Sequence, residues 1–246
     1  MKDTREKILQ KLLDAESVVY FTGAGISAES GIATFRGAGG IWNKLKPEEL
    51  ANFDAFLRNP DMVWEWYQYR RSVLKDAQPN AAHLAIAQSE NIFQNVTVVT
   101  QNVDNLHKRA GSTNIYELHG NIERNFCVRC HTYYNLPDVP FENKAPKCEC
   151  GGLIRPDVVW FGEMLPQEIF SASEDAAMNC DVMFIIGTSA VVYPAARIPG
   201  LARRHGAYLI EINIEPTEIS YTVDASLMGK AGEILPGLLN DVKSRK

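Results

Sequence analysis

The chain has 246 residues, of which 46% are hydrophobic and 22% charged, and its net charge is -5. These values are ordinary for a globular protein with one sizeable domain, with or without a smaller appendage. The acidic balance argues against direct binding of nucleic acid, because that binding relies on clustered lysine and arginine. The first seven residues are too charged to open a signal peptide. No run of about 18 apolar residues is present. We therefore expect a cytoplasmic monomer without membrane contact.

The apolar periodicity predicts a helix from Thr4 to about Ala15, followed by a series of buried strands. Helical patterns lie between several of these strands, and this alternation predicts an α/β fold with a Rossmann-like, doubly wound parallel sheet. Four strands are predicted at 18–21, 96–99, 182–186 and 208–212, and two shorter ones at 115–118 and 157–160.

Two segments interrupt the alternation. Residues 38–84 are helix-like and rich in aromatics, whereas 122–152 contain four of the five cysteines between short strand-like pieces. We expect these segments to form a small domain, made of a helical module and a zinc-binding module. The large domain would comprise 1–37, 85–121 and 153–246.

Polar residues or glycines follow five of the predicted strands. In doubly wound sheets, ligands bind beyond the carboxyl ends of the strands, so these positions predict a binding site. A structural protein would also end its strands in turns, which leaves the alternative open. The positions are Gly23, Ala24 and Gly25; Gln101, Asn102 and Asp104; His119; Gly187, Thr188 and Ser189; and Asn213.

The glycine-containing loop after the first strand runs from Thr22 to Gly31. Glycines allow close approach of a pyrophosphate, and we expect Ser27 to cap a helix that opens toward Ser30. The spacing is not the usual dinucleotide fingerprint, because no glycine follows Gly25 at the third position. A tight turn without a ligand therefore remains an alternative.

The cysteines are the stronger signal. Cys127-x2-Cys130 and Cys148-x-Cys150 have the form of two knuckles of a tetrahedral zinc site, separated by 17 residues. Four thiolates leave no open coordination position, so the predicted metal is one structural zinc ion. The alternative is four free surface thiols. Cys180 is interpreted as an inert core residue.

His119 follows a short strand and precedes Gly120, which favours an imidazole exposed at a cleft. Histidine suits a general base near neutral pH. The alternative is a hydrogen-bonded core histidine. Asn102 and Asp104 could instead form the N-cap of a helix over 102–109, and the two roles are compatible.

Together these strings resemble the sirtuin family of NAD-dependent protein deacylases. The resemblance spans residues from about 20 to 232 in order. It is carried by Gly23-Ala24-Gly25-Ile26-Ser27, Phe35-Arg36-Gly37, Gln101-Asn102-Val103-Asp104, Leu118-His119-Gly120, the four cysteines, Val158-Val159-Trp160-Phe161-Gly162-Glu163 and Gly187-Thr188-Ser189. One departure is Cys148-x-Cys150, which has one residue fewer between its cysteines than is usual in the family.

The resemblance implies that NAD binds as a cosubstrate across the large domain. The Gly23 loop would hold the diphosphate, with Phe35 and Arg36 near the nicotinamide ribose. Asn102 and Asp104 would line the nicotinamide pocket, and His119 would accept a proton from the ribose hydroxyls. The adenosine half would be surrounded by Gly187, Thr188, Ser189, Asn213 and Ala231.

The implied partner is an acyl-lysine protein or peptide, added as a strand between 159–162 and 191–193 through Val159, Phe161, Gly162 and Val191. Tyr67 and Arg70, three residues apart on one helix face, resemble the pair that binds the acyl carboxylate in members that prefer succinyl or malonyl lysine. Ala51 resembles the small residue that widens their pocket. Alternatively, Tyr67 packs in the small domain and Arg70 pairs with a surface acid.

Two rival functions use the same residues. One is an NAD-dependent protein ADP-ribosyltransferase, and the other is a non-enzymatic zinc module that binds ADP-ribose. The combination of His119, Asn102 and Asp104 argues against the second, because a binding module needs no base.

Overall fold

The computed structural model describes residues 2–34, 47–135 and 144–246. Its helices and strands are, in chain order, α1 (Lys2–Asp14), β1 (Ser17–Thr22), α2 (Pro47–Leu50), α3 (Phe53–Arg58), α4 (Pro60–Asp76), α5 (Ala81–Ser89), β2 (Asn95–Thr100), α6 (Leu106–Arg109), β3 (Ile115–Glu117), β4 (Gly120–Cys127), β5 (Tyr133–Asn135), β6 (Ile154–Val158), α7 (Gln167–Met178), β7 (Val182–Ile186), α8 (Arg197–Arg204), β8 (Tyr208–Asn213), β9 (Ala225–Met228) and α9 (Ala231–Arg245).

The described residues contain a parallel sheet in the order β3-β2-β1-β7-β8-β9. Its inner strands are continuous apolar runs because helices cover both faces. One core lies between the sheet and α1, α5 and α9, and the other between the sheet, α7 and α8. The predicted doubly wound sheet is thereby confirmed. Strand β9 was not predicted from the sequence, because its burial is incomplete and Ser226 and Met228 are exposed.

A second, antiparallel sheet has the order β5-β4-β6. The prediction of a strand over 157–160 was wrong in position. Strand β6 ends at Val158, and it pairs with β4 in this small sheet rather than with the parallel one. The physical reason is that the cysteine loops join β4 to β6 and bring Ile154 opposite Cys127.

Helices α3 and α4 pack against the small sheet through an apolar cluster that includes Phe56, Tyr67 and Trp160. The buried guanidinium of Arg71 on α4 reinforces this contact. It donates to the carbonyl of Ile122 at 2.8 Å and to the side chain of Asn125 on β4. The helical and cysteine-bearing segments are thus in contact, as expected for one small unit. The exact division into domains remains a prediction.

No helix within the described ranges combines the length and apolar character needed to cross a bilayer.

A buried carboxylate organises the segment that follows β8. Glu211 is fully buried and accepts hydrogen bonds from the hydroxyls of Thr217, Ser220 and Ser226. Three donors compensate for the loss of water around its charge. Because Asn213 ends the same strand, Glu211 shapes the loop at that edge of the sheet.

We expect Glu211→Ala to lower the free energy of unfolding by about 3 kcal/mol, because it leaves several hydroxyls without their acceptor. Chemical denaturation measures this change. The control is Glu218→Ala, at an exposed position of the same loop, which should stay within about 0.5 kcal/mol of the parent protein. Equal stability of the two variants would contradict the role assigned to Glu211.

Candidate active site and zinc centre

The carboxyl ends of the central strands meet at one edge of the parallel sheet through main-chain hydrogen bonds. The amide of Gly23 donates to Ile186 at the end of β7, and the amide of Gln101 donates to Thr22 at the end of β1. The amide of Gly187 donates to Ile212 on β8. The predicted polar tips of these strands therefore lie beside one another.

The glycines at this edge are required for close packing. The amide of Gly25 donates to the carbonyl of Gly187 at 2.7 Å. A Cβ on Gly25 would lie 2.7 Å from the Cα of Gly187, and a Cβ on Gly187 would lie 2.3 Å from the amide nitrogen of Ile26. Gly187 also has a φ of 59°, which favours glycine. The turns after β1 and β7 are thus packed backbone to backbone.

The glycine loop continues as a 3-10 helix over Ala24–Ser30. The prediction that Ser27 caps this helix was wrong, since the N-cap is Gly23 and Ser27 lies inside the helix. Its buried hydroxyl instead donates to Asp104 at 2.7 Å. The amides of Gly23 and Gly25 already have main-chain acceptors, so a diphosphate at this loop would have to bind other groups.

Asn102, Ser27 and Asp104 form one buried network. The amide group of Asn102 donates to the carbonyl of Gly23 at 3.1 Å and to the hydroxyl of Ser27 at 3.2 Å. Both of its hydrogens are used within the protein, so only its carbonyl oxygen could meet a ligand. The network connects the segment after β2 to the glycine loop.

Asp104 also accepts from the amide of Leu106, at the start of α6. The predicted helix over 102–109 is shorter, and its N-cap is Asn105. Burial raises the pKa of Asp104, while its hydrogen bonds and the nearby Arg70 act in the opposite direction. Each carboxylate oxygen retains further acceptor capacity for a ligand amide.

His119 is half-buried, and its Nδ1 lies 2.9 Å from the carbonyl oxygen of Gln101. A carbonyl oxygen can only accept, so Nδ1 carries the proton of the neutral ring and Nε2 has a free lone pair. Burial lowers the pKa of His119 from its ordinary 6.5, and the bond to Gln101 partly opposes this change. The imidazole is therefore neutral at pH 7 and able to accept a proton at Nε2.

The residues predicted for the adenosine half lie after β7, at the end of β8 and at the start of α9. The side chain of Asn213 donates to the carbonyl of Thr188, and Gln101 donates to the Thr188 hydroxyl. Thr188 is buried, whereas Ser189 is exposed. Ala231 is buried at the start of α9, which is tied to the glycine loop by a bond from Gly232 to Glu29.

Arg70 lies in a small pocket beside the buried network rather than at the surface. The pocket is lined by Ala24, Ser27, Ile32, Ala33, Arg70, Leu74, Asn102, Val103 and Asp104. The buried carboxylate of Asp104 acts electrostatically on Arg70. Phe35 and Arg36, predicted near the nicotinamide ribose, lie outside the described residues.

Three residues predicted to contact the substrate are in mutual proximity. The amide of Phe161 donates to the carbonyl of Ala51 at 2.9 Å. Tyr67 is buried and accepts a hydrogen bond from the indole of Trp160 at 2.7 Å. Burial is the main cause that raises the pKa of Tyr67, to about 12, so its hydroxyl remains a donor.

The segment 159–162, here called the substrate loop, continues from β6 toward His119. The amide of Val159 donates to the carbonyl of His119 at 3.0 Å. Phe161 and Gly162 are exposed, as is Val191 on the loop after β7. The substrate loop therefore lies next to the histidine, and at Gly162 its backbone is exposed to solvent.

The four clustered cysteines converge. Their sulfur atoms all lie within 4.8 Å of one another, with Cys127 to Cys150 and Cys130 to Cys148 each at 3.5 Å. A tetrahedral zinc with bonds of about 2.3 Å separates its sulfurs by roughly 3.8 Å. The sulfurs thus fit one zinc ion, and the shortened spacing of Cys148 and Cys150 does not prevent convergence.

Each of the four cysteine sulfurs lies within hydrogen-bonding distance of an amide or hydroxyl group. The amides of Arg129 and Gly152 donate to Cys127 and Cys150, each at 3.4 Å. The hydroxyl of Thr132 lies 3.2 Å from Cys130, and that of Tyr134 donates to Cys148 at 3.0 Å. Such donors offset the negative charge of four thiolates around a metal.

Comparison with known proteins identifies the family. The model of the Sir2 family matches residues 23–194. The chain belongs to the Sir2 family. A relative from Pyrobaculum aerophilum named NAD-dependent protein deacylase 2 is 52% identical over 235 residues, which cover 95% of this chain and 94% of the relative.

Solved structures of Sir2 proteins share the whole fold. A Sir2 homologue in complex with NAD has a TM-score of 0.92 and 44% identity, covering 98% of this chain and 94% of the other. A structure described as Sir2 with p53 peptide and NAD+ has a TM-score of 0.87 and 32% identity, covering 97% and 98%. The likeness therefore extends over nearly the full length of this Sir2 chain.

The sequence-based interpretation missed several residues that shape the site. Thr22 and Thr100 bond to each other beneath it, and Thr100 accepts from the amide of Asn102. The side chain of His107 is also buried, and its Nε2 lies 2.9 Å from the hydroxyl of Thr22. The available signal was the threonine that ends each of two adjacent strands. Tyr134 was also missed as a neighbour of the cysteines.

We expect Tyr134→Phe to weaken zinc binding roughly 10- to 100-fold, the usual effect of losing a hydrogen bond to a metal ligand. Competition with a colorimetric chelator measures the zinc affinity. Tyr133→Phe is the matched control, because Tyr133 is 66% exposed on the same strand and should leave the affinity unchanged. The same affinity in both variants would show that the Tyr134 hydroxyl does not support the site.

Proposed function

We propose that this Sir2 protein is an NAD-dependent deacylase of protein lysines, which accepts acidic acyl groups such as succinyl or malonyl in addition to acetyl. The observation that carries the proposal is the placement of His119. Its anchored ring lies at the edge where the glycine loop, Asn102 and Asp104 meet, and directly beside the substrate loop.

NAD would bind along this edge of the parallel sheet. The carbonyl oxygen of Asn102 and the carboxylate of Asp104 would meet the nicotinamide half, and Thr188 and Asn213 the adenosine half. Bound NAD supplies a ribose carbon that becomes electrophilic as nicotinamide departs. Gly187, Ser189 and Ala231 would contribute to the adenosine side, and Ala24 to the diphosphate side, where the loop begins its 3-10 helix.

His119 acts as the general base. The carbonyl of Gln101 holds the proton on Nδ1, so Nε2 accepts a proton from a ribose hydroxyl without a change of tautomer. The lowered pKa keeps this nitrogen unprotonated at neutral pH. Asn102 orients the ribose or a water molecule through its carbonyl oxygen, since its hydrogens are held by Gly23 and Ser27.

The acyl-lysine peptide would add as a strand between the substrate loop and the segment around Val191. The exposed backbone of Gly162 fits this mode, in which main-chain hydrogen bonds bind a peptide of variable sequence. Val159 is bonded to His119, so a lysine bound here enters beside the base.

The preference for acidic acyl groups rests on Tyr67 and Arg70. Arg70 is buried, and its planar guanidinium would donate hydrogen bonds to both oxygens of an acyl carboxylate. Trp160 donates to the oxygen of Tyr67, so the hydroxyl hydrogen of Tyr67 is not used in that bond. Ala51, buried in the same apolar cluster, leaves room because its side chain is a single methyl group.

Replacement of the base should abolish most turnover. We expect His119→Ala to lower kcat for deacylation at least about a hundredfold. Nicotinamide release measures the rate, and mass spectrometry distinguishes acyl-ADP-ribose from an ADP-ribosylated protein. The control is His205→Ala, since His205 has the same Nδ1 contact with a carbonyl oxygen, at 3.0 Å, on the exposed end of α8.

The pH profile provides a further check on this assignment. The value of kcat/KM should decrease with acidity only below pH 6.5, because His119 becomes protonated only when the pH approaches its lowered pKa. Near-full turnover of the His119 variant would remove the residue from this role.

The acyl preference predicts a selective loss. We expect Arg70→Met to reduce desuccinylation roughly ten- to hundredfold more than deacetylation, the range for losing a hydrogen bond to a charged group. Paired peptides that differ only in the acyl group measure kcat/KM. Arg58→Met, at an exposed position of α3, should change neither activity. Equal losses on both peptides would assign Arg70 to folding instead.

A further inference from the structure

Arg155 on β6 is a buried cation with an unusual set of partners. Its side chain is only 3% exposed, and its guanidinium binds both carboxylate oxygens of Glu163, at 2.5 and 3.0 Å. It also donates to the carbonyl of Val158 at 2.7 Å. Val158 and Glu163 directly flank the substrate loop, so a single side chain connects its two ends.

The middle of the loop is held by the same pair. The indole ring of Trp160 lies against the guanidinium, with 3.3 Å between Arg155 Cζ and the ring centroid. The amide of Trp160 donates to Glu163 at 2.7 Å. A planar guanidinium can stack on a ring while it donates within its plane, which an ammonium group cannot do. The loop therefore folds around one arginine.

Three successive amides of the substrate loop donate hydrogen bonds to three different acceptors. Val159 and Phe161 donate to the carbonyls of His119 and Ala51, whereas Trp160 between them donates to Glu163. Three successive amides are thus used to fix the loop on the protein side. What is left for a peptide is the exposed backbone of Gly162. The position of that backbone depends on where Glu163 is held.

We propose that Arg155 and Glu163 are positioning residues that hold the substrate loop in its peptide-binding conformation and couple it to the zinc-bearing sheet. The inference rests on the proposed function. Arg155 lies on β6, and the residue before it on that strand, Ile154, pairs with Cys127. The guanidinium of Arg155 therefore connects the sheet that carries the cysteines to the substrate loop. The ring of His119 does not depend on this connection, because it is held by the carbonyl of Gln101.

The geometry predicts a separation of kinetic parameters. Arg155→Lys keeps the charge but cannot bind both carboxylate oxygens and stack, and Glu163→Gln keeps the shape but loses one charge-assisted acceptor. We expect each to raise the KM for the acyl-lysine peptide roughly ten- to hundredfold. The KM for NAD, kcat at saturating peptide and zinc content should stay close to those of the parent protein.

The control is Arg5→Lys, which alters an ion pair of 2.6 Å whose partners, Arg5 and Asp241, are 47% and 45% exposed between α1 and α9. It should leave all these parameters unchanged. Amide hydrogen exchange of residues 158–163 gives a second measurement that does not depend on activity, and it should be faster in Glu163→Gln than in the control.

The outcomes separate the two proposals. If the parent protein releases no nicotinamide with any acyl peptide, the proposed function fails, while exchange in the loop still tests the contact made by Glu163. If the parent protein is active and Glu163→Gln leaves the peptide KM unchanged, the positioning role is overturned. Equal rises in both KM values with loss of zinc would also overturn it, because they indicate general damage to the fold.

Discussion

The backbone contact between the turns after β1 and β7 is the constraint on which the site depends. The hydrogen bond from Gly25 to Gly187 holds the two turns at a distance that excludes any Cβ. This contact sets the start of the 3-10 helix and therefore the position of Ser27. Ser27 in turn fixes Asp104, and Asn102 bonds to both Ser27 and Gly23. Loss of the close contact would displace every polar group on this edge.

The polar groups at this edge are largely satisfied by one another before any ligand arrives. The hydrogens of Asn102, the ring proton of His119 and one acceptor position on each oxygen of Asp104 have protein partners. Because these bonds are buried, the side chains have little freedom to reorient. What remains open is a defined set of atoms, namely one amide oxygen, one imidazole nitrogen and the carboxylate. Such preorganisation favours a reaction that develops charge at a fixed point.

The small sheet has a role beyond anchoring a metal. Its strand β6 leads directly into the substrate loop, and β4 begins one residue after His119. His119 and the substrate loop are thus at the amino end of β4 and the carboxyl end of β6, which are neighbouring antiparallel strands. Convergence of the cysteine sulfurs holds the opposite end of the same two strands. In a sheet of this size the apolar core is limited, so a zinc ion would stabilise both the fold and the loop.

The sequence by itself determined the parallel sheet, the strand ends that bear polar residues and the four sulfur ligands, because these follow from local periodicity and short spacing. It placed Glu211 in a strand without revealing the three hydroxyls that surround it. It also put a strand at 157–160, since Val158, Val159 and Trp160 are apolar whichever sheet they join. Apolar character predicts burial, but it does not specify the pairing partner.

Only the tertiary structure decided which polar groups meet. Tyr67 and Arg70 share a helix face, yet one bonds to Trp160 and the other lies beside Asp104. Glu163 ends the string 158–163 that carries the family resemblance, but nothing in the sequence pairs it with Arg155, and their bond exists because the loop reverses direction around Trp160. Long-range contacts of this kind depend on the folded path of the backbone. Local sequence cannot specify them, because their free energy arises only after distant segments are buried together.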